Sequence, residues 1–219
     1  VSEKSMLRNL ISTTAEIQDE AFSSIESTDK ILDGAERRIF LVTQRRISTS
    51  AQPISNAITE VFDHLRNMRE GTNKRGIPSG FGQLDDMTHG FHPGELTILA
   101  ARPSMGKTSL ALSFIRNICL YEGKAAAFFS LEVPQLQVAS NLLCNIAQVD
   151  SRQLRGGYVR KEDESRLLDA AELLSDAHIY VDDCPTLSTM ELRAKARRLK
   201  AQYNIGIIII DYLQLMTGS

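Results

Sequence analysis

The segment Leu96-Thr97-Ile98-Leu99-Ala100-Ala101-Arg102-Pro103-Ser104-Met105-Gly106-Lys107-Thr108 decides the fold class of this chain. Its first five residues favour a β-strand over 96–100, the next residues form a tight loop that ends in Gly-Lys-Thr, and a helix-forming stretch follows at once. This order is typical of a phosphate-binding loop, because the N–H groups of the loop and of the helix N-terminus converge on an anion. The sequence therefore predicts a nucleoside triphosphate site.

The loop residues have separate expected roles. We expect Lys107 to reach the β- and γ-phosphates and the hydroxyl of Thr108 to ligate the Mg²⁺ that accompanies them. The general pattern has glycine where Ala101 stands, and alanine is acceptable there if φ stays negative, whereas Gly106 lies where the backbone approaches phosphate closely. The residues predicted to surround ATP are Ala101, Arg102, Pro103, Ser104, Met105, Gly106, Lys107 and Thr108.

Composition limits the class of protein. The chain has 219 residues, 42% of them hydrophobic, and a formal net charge of −2, so no global attraction to nucleic acid is expected. No apolar run is long enough to span a membrane, and the first residues do not resemble a secretory signal. The scattered cysteines Cys119, Cys144 and Cys184 favour reduced thiols in the cytoplasm. Because the chain begins at Val1, we expect a piece of a longer protein.

Strands and helices alternate after about residue 77, which predicts an α/β domain with a mostly parallel sheet covered by helices on both faces. In such a sheet, ligands bind at the carboxyl ends of the strands. We predict a capping box from Ser188 to Glu191 and place Pro134 in the first turn of its helix. The predicted strands are 96–100, 125–130, 178–182 and 206–210, and the predicted helices are about 107–121, 134–147, 162–175 and 189–203.

The first third of the chain is predicted to be helical and to precede the α/β domain. Residues 1–46 have helical spacing of apolar residues, with a second helix opening near Thr28 or Asp29, and 47–76 contain a linker and a helix from Pro53. The expected domains are therefore 1–46, 47–76 and 77–219. In the helix from Pro53, the residues expected to face inward are Ile54, Ile58, Val61, Phe62 and Leu65.

Two carboxylates follow predicted strands and complete the expected site. Glu132 comes after strand 125–130 and Asp211 comes directly after strand 206–210, so both should lie at the edge that holds the phosphate loop. Asp211 is predicted to hold Mg²⁺ rather than to serve as a helix cap. Glu132 is the candidate that orients the attacking water, although an acid that only stabilises a helix start is the equal alternative. Asp182 and Asp183 also follow a strand, and we interpret them as loop residues.

Two further features carry less functional information. The basic side chains of Arg193, Arg197 and Lys200 share one helix face, which favours a solvated surface over a nucleic-acid groove. His89 and His92 lie in a glycine-containing loop with no third ligand in view, so we expect no metal there.

Five segments of the sequence form a set of motifs: Phe81-x-x-Leu84-Asp85, Gly90-Phe91-x-x-Gly94-Glu95-Leu96-Thr97-Ile98, Ala100 to Thr108, Phe129-Ser130-Leu131-Glu132 and Ile210-Asp211-Tyr212-Leu213-Gln214-Leu215-Met216. Together these segments resemble the DnaB family of bacterial replicative DNA helicases. The resemblance extends over most of the chain, and residues 31–40 are similar to the linker helix of that family, which docks on the neighbouring subunit's motor domain. In this family alanine is usual at position 101.

The resemblance implies a truncated RecA-like motor domain after an α-helical linker region. It implies a homo-hexameric ring that hydrolyses ATP and moves 5′ to 3′ on single-stranded DNA, with primase and a helicase loader as partners. It also implies that Glu132 and Lys107 are catalytic and that Thr108 and Asp211 bind Mg²⁺. In the family, the sensor glutamine, the DNA-contacting loops and the residues that complete a neighbour's site come later than residue 219. We therefore expect that this piece alone does not unwind DNA.

Two other classes of function fit part of the sequence. A recombinase or another RecA-type ring ATPase would share the loop and Asp211, but would differ around Ala101 and Tyr212. A nucleotide-binding or helicase-interaction module without enzymatic activity would use residues 1–46 for docking. Continuation past residue 219 into further strands and arginine-bearing loops would favour the motor.

Overall fold

The chain divides into two compact units, Val1–Asn73 and Lys74–Ser219, and each is described by itself. The division into three domains made from the sequence stays a prediction. The computed structural model of the protein describes residues 2–23, 76–102, 104–157 and 159–217, together with single helical residues between 31 and 66.

The described part of the first unit is helical. Helix α1 runs Ser2–Ser23 and exposes Leu7 and Ile11. The predicted helix start near residues 28–29 lies outside the described residues, as does Leu65. The expectation of an inward-facing stripe after Pro53 is wrong, because its described side chains are exposed. These exposed residues are Ile54, Ile58, Val61 and Phe62.

The second unit alternates helices and parallel strands, as predicted. No described helix of either unit is long and apolar enough to cross a bilayer. The helices of the second unit are α2 (Gly82–Thr88), α3 (Lys107–Leu120), α4 (Gln135–Ala147), α5 (Ser151–Gly156), α6 (Lys161–Asp176) and α7 (Thr189–Tyr203). The strands are β1 (Ala126–Ser130), β2 (Ile179–Asp182) and β3 (Ile207–Asp211), and a 3₁₀ turn follows at Leu213–Leu215.

The described strands form one parallel sheet in the order β2-β1-β3. The central strand β1 is fully buried, and its Phe128 and Phe129 point to opposite faces. Phe128 packs with Leu112 and Ile115 of α3 on one face, while Phe129 packs with Leu187 before α7 on the other. Helices therefore cover both faces of the sheet, which confirms the predicted layers.

The strand predicted over 96–100 is wrong. Residues 96–100 form no strand, and Leu96 and Ile98 are 85% and 73% exposed. A strand requires a neighbour that exchanges backbone hydrogen bonds with it, and β3 pairs with β1 without a partner in 96–100 among the described residues. Apolar and β-branched composition alone is therefore not sufficient for a strand here.

Three local predictions at element ends can be compared with the structure. The capping box is confirmed, because Ser188 N–H donates to the Glu191 carboxylate at 2.7 Å and Glu191 N–H donates to the Ser188 hydroxyl at 3.2 Å. The hydrogen bond that the Glu191 carboxylate accepts from Ser188 N–H lowers the pKa of Glu191. Pro134 is the N-cap of α4 rather than a residue of its first turn, and Asp211 is the last residue of β3 rather than the residue after it.

Hydrogen bonds join the segment before the phosphate loop to helix α3. The Asp85 carboxylate accepts from Ser79 N–H at 2.8 Å and from Gly80 N–H at 3.1 Å, which fixes the turn that precedes α2. The buried Asn117 amide of α3 then donates to the Ser79 carbonyl at 3.0 Å. Residues 76–91 are thereby held against the helix that begins with Lys107.

The Gly80→Ala substitution is expected to destabilise the protein by roughly 2–3 kcal/mol. Gly80 has a φ of 80°, which alanine adopts only with strain, and an added Cβ would lie 2.3 Å from the Asn117 amide nitrogen. Chemical denaturation measures the change. The control is Gly82→Ala, because a Cβ at Gly82 meets nothing within 4 Å, and equal stability of the two variants would contradict this interpretation.

Candidate nucleotide-binding site

The loop before α3 has the backbone of an anion-binding turn. Gly106, the N-cap of α3, has a φ of 84°, and Ser104 has a φ of 64°. The Met105 N–H donates to the Arg102 carbonyl at 3.3 Å, and Ala101 stays outside the left-handed region. The backbone conformation therefore favours glycine at 106, while alanine is compatible with the backbone at 101.

The predicted cofactor-binding residues lie in this one turn, except that Pro103 lies outside the described residues. Ala101, Arg102, Met105 and Gly106 are exposed, so their backbone groups are accessible to a ligand. The first N–H groups of α3 have no partner within the helix and point toward the turn. The turn can therefore bind a polyphosphate through backbone donors.

Lys107 and Thr108 both contact Asp211 across the sheet edge. The Lys107 ammonium lies 3.0 Å from Asp211 Oδ1, and the Thr108 hydroxyl donates to Asp211 Oδ2 at 2.5 Å. Asp211 is only 3% exposed, so its carboxylate is shielded from water and its negative charge is compensated by Lys107 and Thr108. The structure thus brings together Lys107, Thr108 and Asp211, which the sequence singled out as candidates for binding phosphate and magnesium.

Tyr212 adds a contact that the sequence reasoning missed. Its ring centroid lies 4.2 Å from the Lys107 ammonium, which is within cation–π range. One signal for this contact was present in the sequence. Tyr212 directly follows Asp211, so its ring lies close to the partners of that carboxylate. Lys107 is therefore oriented by a carboxylate and by an aromatic face.

Glu132 lies at the same edge of the sheet. Ser130 is paired in register with Asp211, and Leu131 N–H donates to the Asp211 carbonyl at 2.8 Å, so Glu132 comes two residues beyond that pair. Its side chain is exposed and makes no hydrogen bond or ion pair with another described residue. Glu132 is therefore accessible to solvent beside the strand that carries Asp211.

Asp182 and Asp183, interpreted from the sequence as loop residues, have structural partners. Asp182 is the last residue of β2 and its carboxylate accepts from Lys195 at 2.7 Å. Asp183 follows the strand, and its carboxylate accepts from the N–H of Gln135, the first residue of α4, at 2.9 Å. Both carboxylates therefore connect the end of β2 to a helix.

The structure also describes the cysteine and histidine side chains that the sequence singled out. The described cysteines Cys119, Cys144 and Cys184 are not joined by a disulfide, and burial raises the pKa of Cys119 to about 11, so this thiol stays protonated at neutral pH. In the part of the chain that the structure describes, no group of three or more His, Cys, Asp or Glu residues could hold a metal, His89 and His92 included.

A cavity of about 320 Å³ between β2 and α7 is lined by Tyr180 and Tyr203 and by none of the predicted site residues.

The donor set at Asp211 fits magnesium. Mg²⁺ is held in nucleotide sites by one or two protein oxygens together with phosphate oxygens and water, and it has little affinity for thiols or imidazoles. Asp211 supplies a buried carboxylate and Thr108 supplies a hydroxyl 2.5 Å from it. These two residues could therefore hold the ion next to phosphates bound in the turn.

Residues 76–219 match the family model of the DnaB-like helicase C-terminal domain, and the chain belongs to this family. Replicative DNA helicase DnaB of Geobacillus stearothermophilus is 39% identical over 220 residues, which cover 100% of this chain and 48% of that protein. Replicative DNA helicase DnaC of Bacillus subtilis (strain 168) is also 39% identical, over 221 residues and the same shares. The chain spans about half the length of these curated relatives.

Two solved structures have the same fold. One is an ATPase domain that superposes with a TM-score of 0.67 at 27% identity, covering 77% of this chain and 60% of that one. A DnaB-like replicative helicase, solved in a study of its interactions with primase, has a TM-score of 0.68 at 24% identity and covers 99% of this chain and 50% of that one. The fold is that of RecA-like helicase ATPase domains, as predicted.

Proposed function

We propose that this chain is the nucleotide-binding part of a replicative DNA helicase motor, which hydrolyses ATP to move along single-stranded DNA. The observation that carries the proposal is the convergence of Lys107 and Thr108 on the buried Asp211 beside the loop turn. Family membership adds support and favours a helicase over a recombinase or an interaction module without enzymatic activity.

The loop residues bind and orient the triphosphate in this proposal. Backbone N–H groups of the turn before α3 would donate to the β- and γ-phosphates, and the Lys107 ammonium would move from Asp211 to the phosphate oxygens. Positive groups at these oxygens stabilise the charge that spreads over the transferred phosphoryl group in the transition state. Lys107 is therefore assigned a role in both binding and catalysis.

Thr108 and Asp211 are the proposed magnesium ligands. When bound, Mg²⁺ supplies charge neutralisation between the β- and γ-phosphates. Asp211 is the last residue of β3 and is itself buried, so its carboxylate is held in place. Thr108 is the second residue of α3, next to the loop, so its hydroxyl would lie where the phosphates and the carboxylate meet.

Glu132 is the proposed residue that orients and polarises the attacking water. Its carboxylate is exposed at the sheet edge, so water reaches it, and it would accept the proton as the water attacks. This assignment replaces the alternative in which Glu132 only stabilises the start of α4. The structure gives that stabilising contact to Asp183 instead.

We extend the proposal to the whole protein. It includes a homo-hexameric ring, 5′-to-3′ movement on single-stranded DNA, and contacts with primase and a helicase loader in the cytoplasm. The supporting observations are the replicative helicases that match this chain throughout its length and the helicase structure studied together with primase.

The test is the ATPase activity of the full-length protein with and without single-stranded DNA. We expect magnesium-dependent hydrolysis that single-stranded DNA stimulates and that blunt duplex DNA of the same composition stimulates less. A panel of nucleoside triphosphates measures base selectivity in the same assay. Absence of hydrolysis under all these conditions, with nucleotide still bound, would favour the module without enzymatic activity.

A further inference from the structure

We propose that Asp183 is a positioning residue that holds Glu132 in place for water activation. Glu132 lies in the short connection 131–134 between β1 and α4, and its position depends on how both ends of that connection are fixed. This inference depends on the proposed function, because it assigns Asp183 a role through Glu132. Asp183 itself contacts α4 and not the reacting atoms.

The strand end of the connection is fixed by the sheet and by Ser130. The Ser130 hydroxyl donates to the Val133 carbonyl at 2.5 Å and accepts from the Val133 N–H at 3.2 Å. The Leu131 N–H donates to the Asp211 carbonyl at 2.8 Å. These bonds hold the turn that contains Glu132 compact and next to β3.

The helix end of the connection is fixed by Asp183. Helix α4, described along its whole length, has neither a side-chain cap at Pro134 nor an acidic residue in its first turn. Asp183 supplies the missing acceptor, because its carboxylate accepts from the Gln135 N–H at 2.9 Å. A negative charge at a helix N-terminus makes a charge-assisted bond and interacts favourably with the helix dipole.

Asp183 is itself held by the end of β2. Asp182 is in register with Phe129 of β1, and its carboxylate accepts from Cys184 N–H at 3.2 Å and from Lys195 at 2.7 Å. The turn that carries Asp183 is thus tied to the sheet and to α7. Through Asp183, both of these fixed elements determine where α4 begins and therefore where Glu132 lies.

The Asp183→Ala substitution is expected to lower the kcat of ATP hydrolysis by about tenfold, because small displacements of a catalytic group reduce rates strongly. The KM for ATP and the affinity for a non-hydrolysable analogue should change by less than about twofold, since the loop and Asp211 are untouched. Asp183→Asn keeps an acceptor for the Gln135 N–H, and its kcat should lie only about threefold below the native value.

The matched control is Asp150→Ala. Asp150 accepts from Arg152 N–H at 2.8 Å and so caps α5 in the same way, away from the connection that holds Glu132. Its loss should reduce stability but leave kcat unchanged. A kcat in Asp183→Ala equal to that of Asp150→Ala would overturn the proposal. A native kcat in Asp183→Asn would also overturn it, and this variant provides the test if Asp183→Ala fails to fold.

Combination with Glu132→Gln separates this inference from the proposed function. If Asp183 acts through Glu132, adding Asp183→Ala to Glu132→Gln should cause no further loss in single-turnover hydrolysis. If adding Asp183→Ala lowers the rate of Glu132→Gln by about tenfold, which is the full loss expected for Asp183→Ala alone, the inference is overturned. The role of Glu132 would then remain intact. If Glu132→Gln alone hydrolyses ATP at the native rate, the proposed role of Glu132 fails and the inference fails with it.

Discussion

The Glu132→Gln substitution is expected to reduce ATP hydrolysis by the full-length protein about 10²- to 10⁴-fold, the usual contribution of a positioned general base. Glutamine has nearly the same shape but accepts no proton at neutral pH. Because Glu132 is exposed and makes no hydrogen bond or ion pair with the described residues of the turn, nucleotide affinity should be unchanged. Steady-state turnover and equilibrium titration with a fluorescent nucleotide measure the two quantities separately.

A second glutamate provides the control for this substitution. Glu122 is exposed and follows α3 at the end opposite to Lys107, so Glu122→Gln removes the same charge far from the site. It should leave both turnover and affinity at native values. Glu132 would lose its assigned role if both variants hydrolysed ATP equally fast.

The Lys107→Ala substitution is expected to weaken ATP binding by roughly 10- to 100-fold, because hydrogen bonds to charged groups contribute about 1.5–3 kcal/mol. The same change leaves the buried Asp211 with Thr108 as its remaining side-chain partner among the described residues. Turnover should therefore also fall, since the ammonium no longer stabilises the phosphoryl oxygens. Isothermal titration with ATP and magnesium measures the affinity.

Lys124→Ala is the control for the loss of a positive charge, since Lys124 is exposed beyond the far end of α3. Its affinity for ATP should equal that of the native protein. Thermal unfolding of both variants shows whether the loss of the Lys107–Asp211 ion pair has unfolded the domain. Native affinity in a folded Lys107→Ala variant would remove Lys107 from the phosphate site.

Local pattern was sufficient to predict most elements of the second unit. The bounds of α7 were predicted to the residue, because the capping box at Ser188 marks its start. The meeting of Lys107 and Thr108 with Asp211 was also predictable, because parallel strands bring their carboxyl ends to one edge of a sheet.

Features that depend on distant partners were not predictable in the same way. The run 96–100 has strand-like composition, but strand formation needs backbone partners that composition does not specify. The contact between Asp183 and Gln135 joins residues 48 apart in sequence. One signal for it was present, since a helix that opens after Pro134 without its own cap needs an acceptor from elsewhere.

The paired state of Asp211 has a consequence for the order in which ligands enter. Lys107 and Thr108 occupy both oxygens of this carboxylate, so a bare divalent ion competes with an internal ammonium for a charge that is already compensated. A triphosphate offers Lys107 a second anion and frees Asp211 at the same moment. Under the proposed function, the metal–nucleotide complex should therefore enter this site more readily than free magnesium.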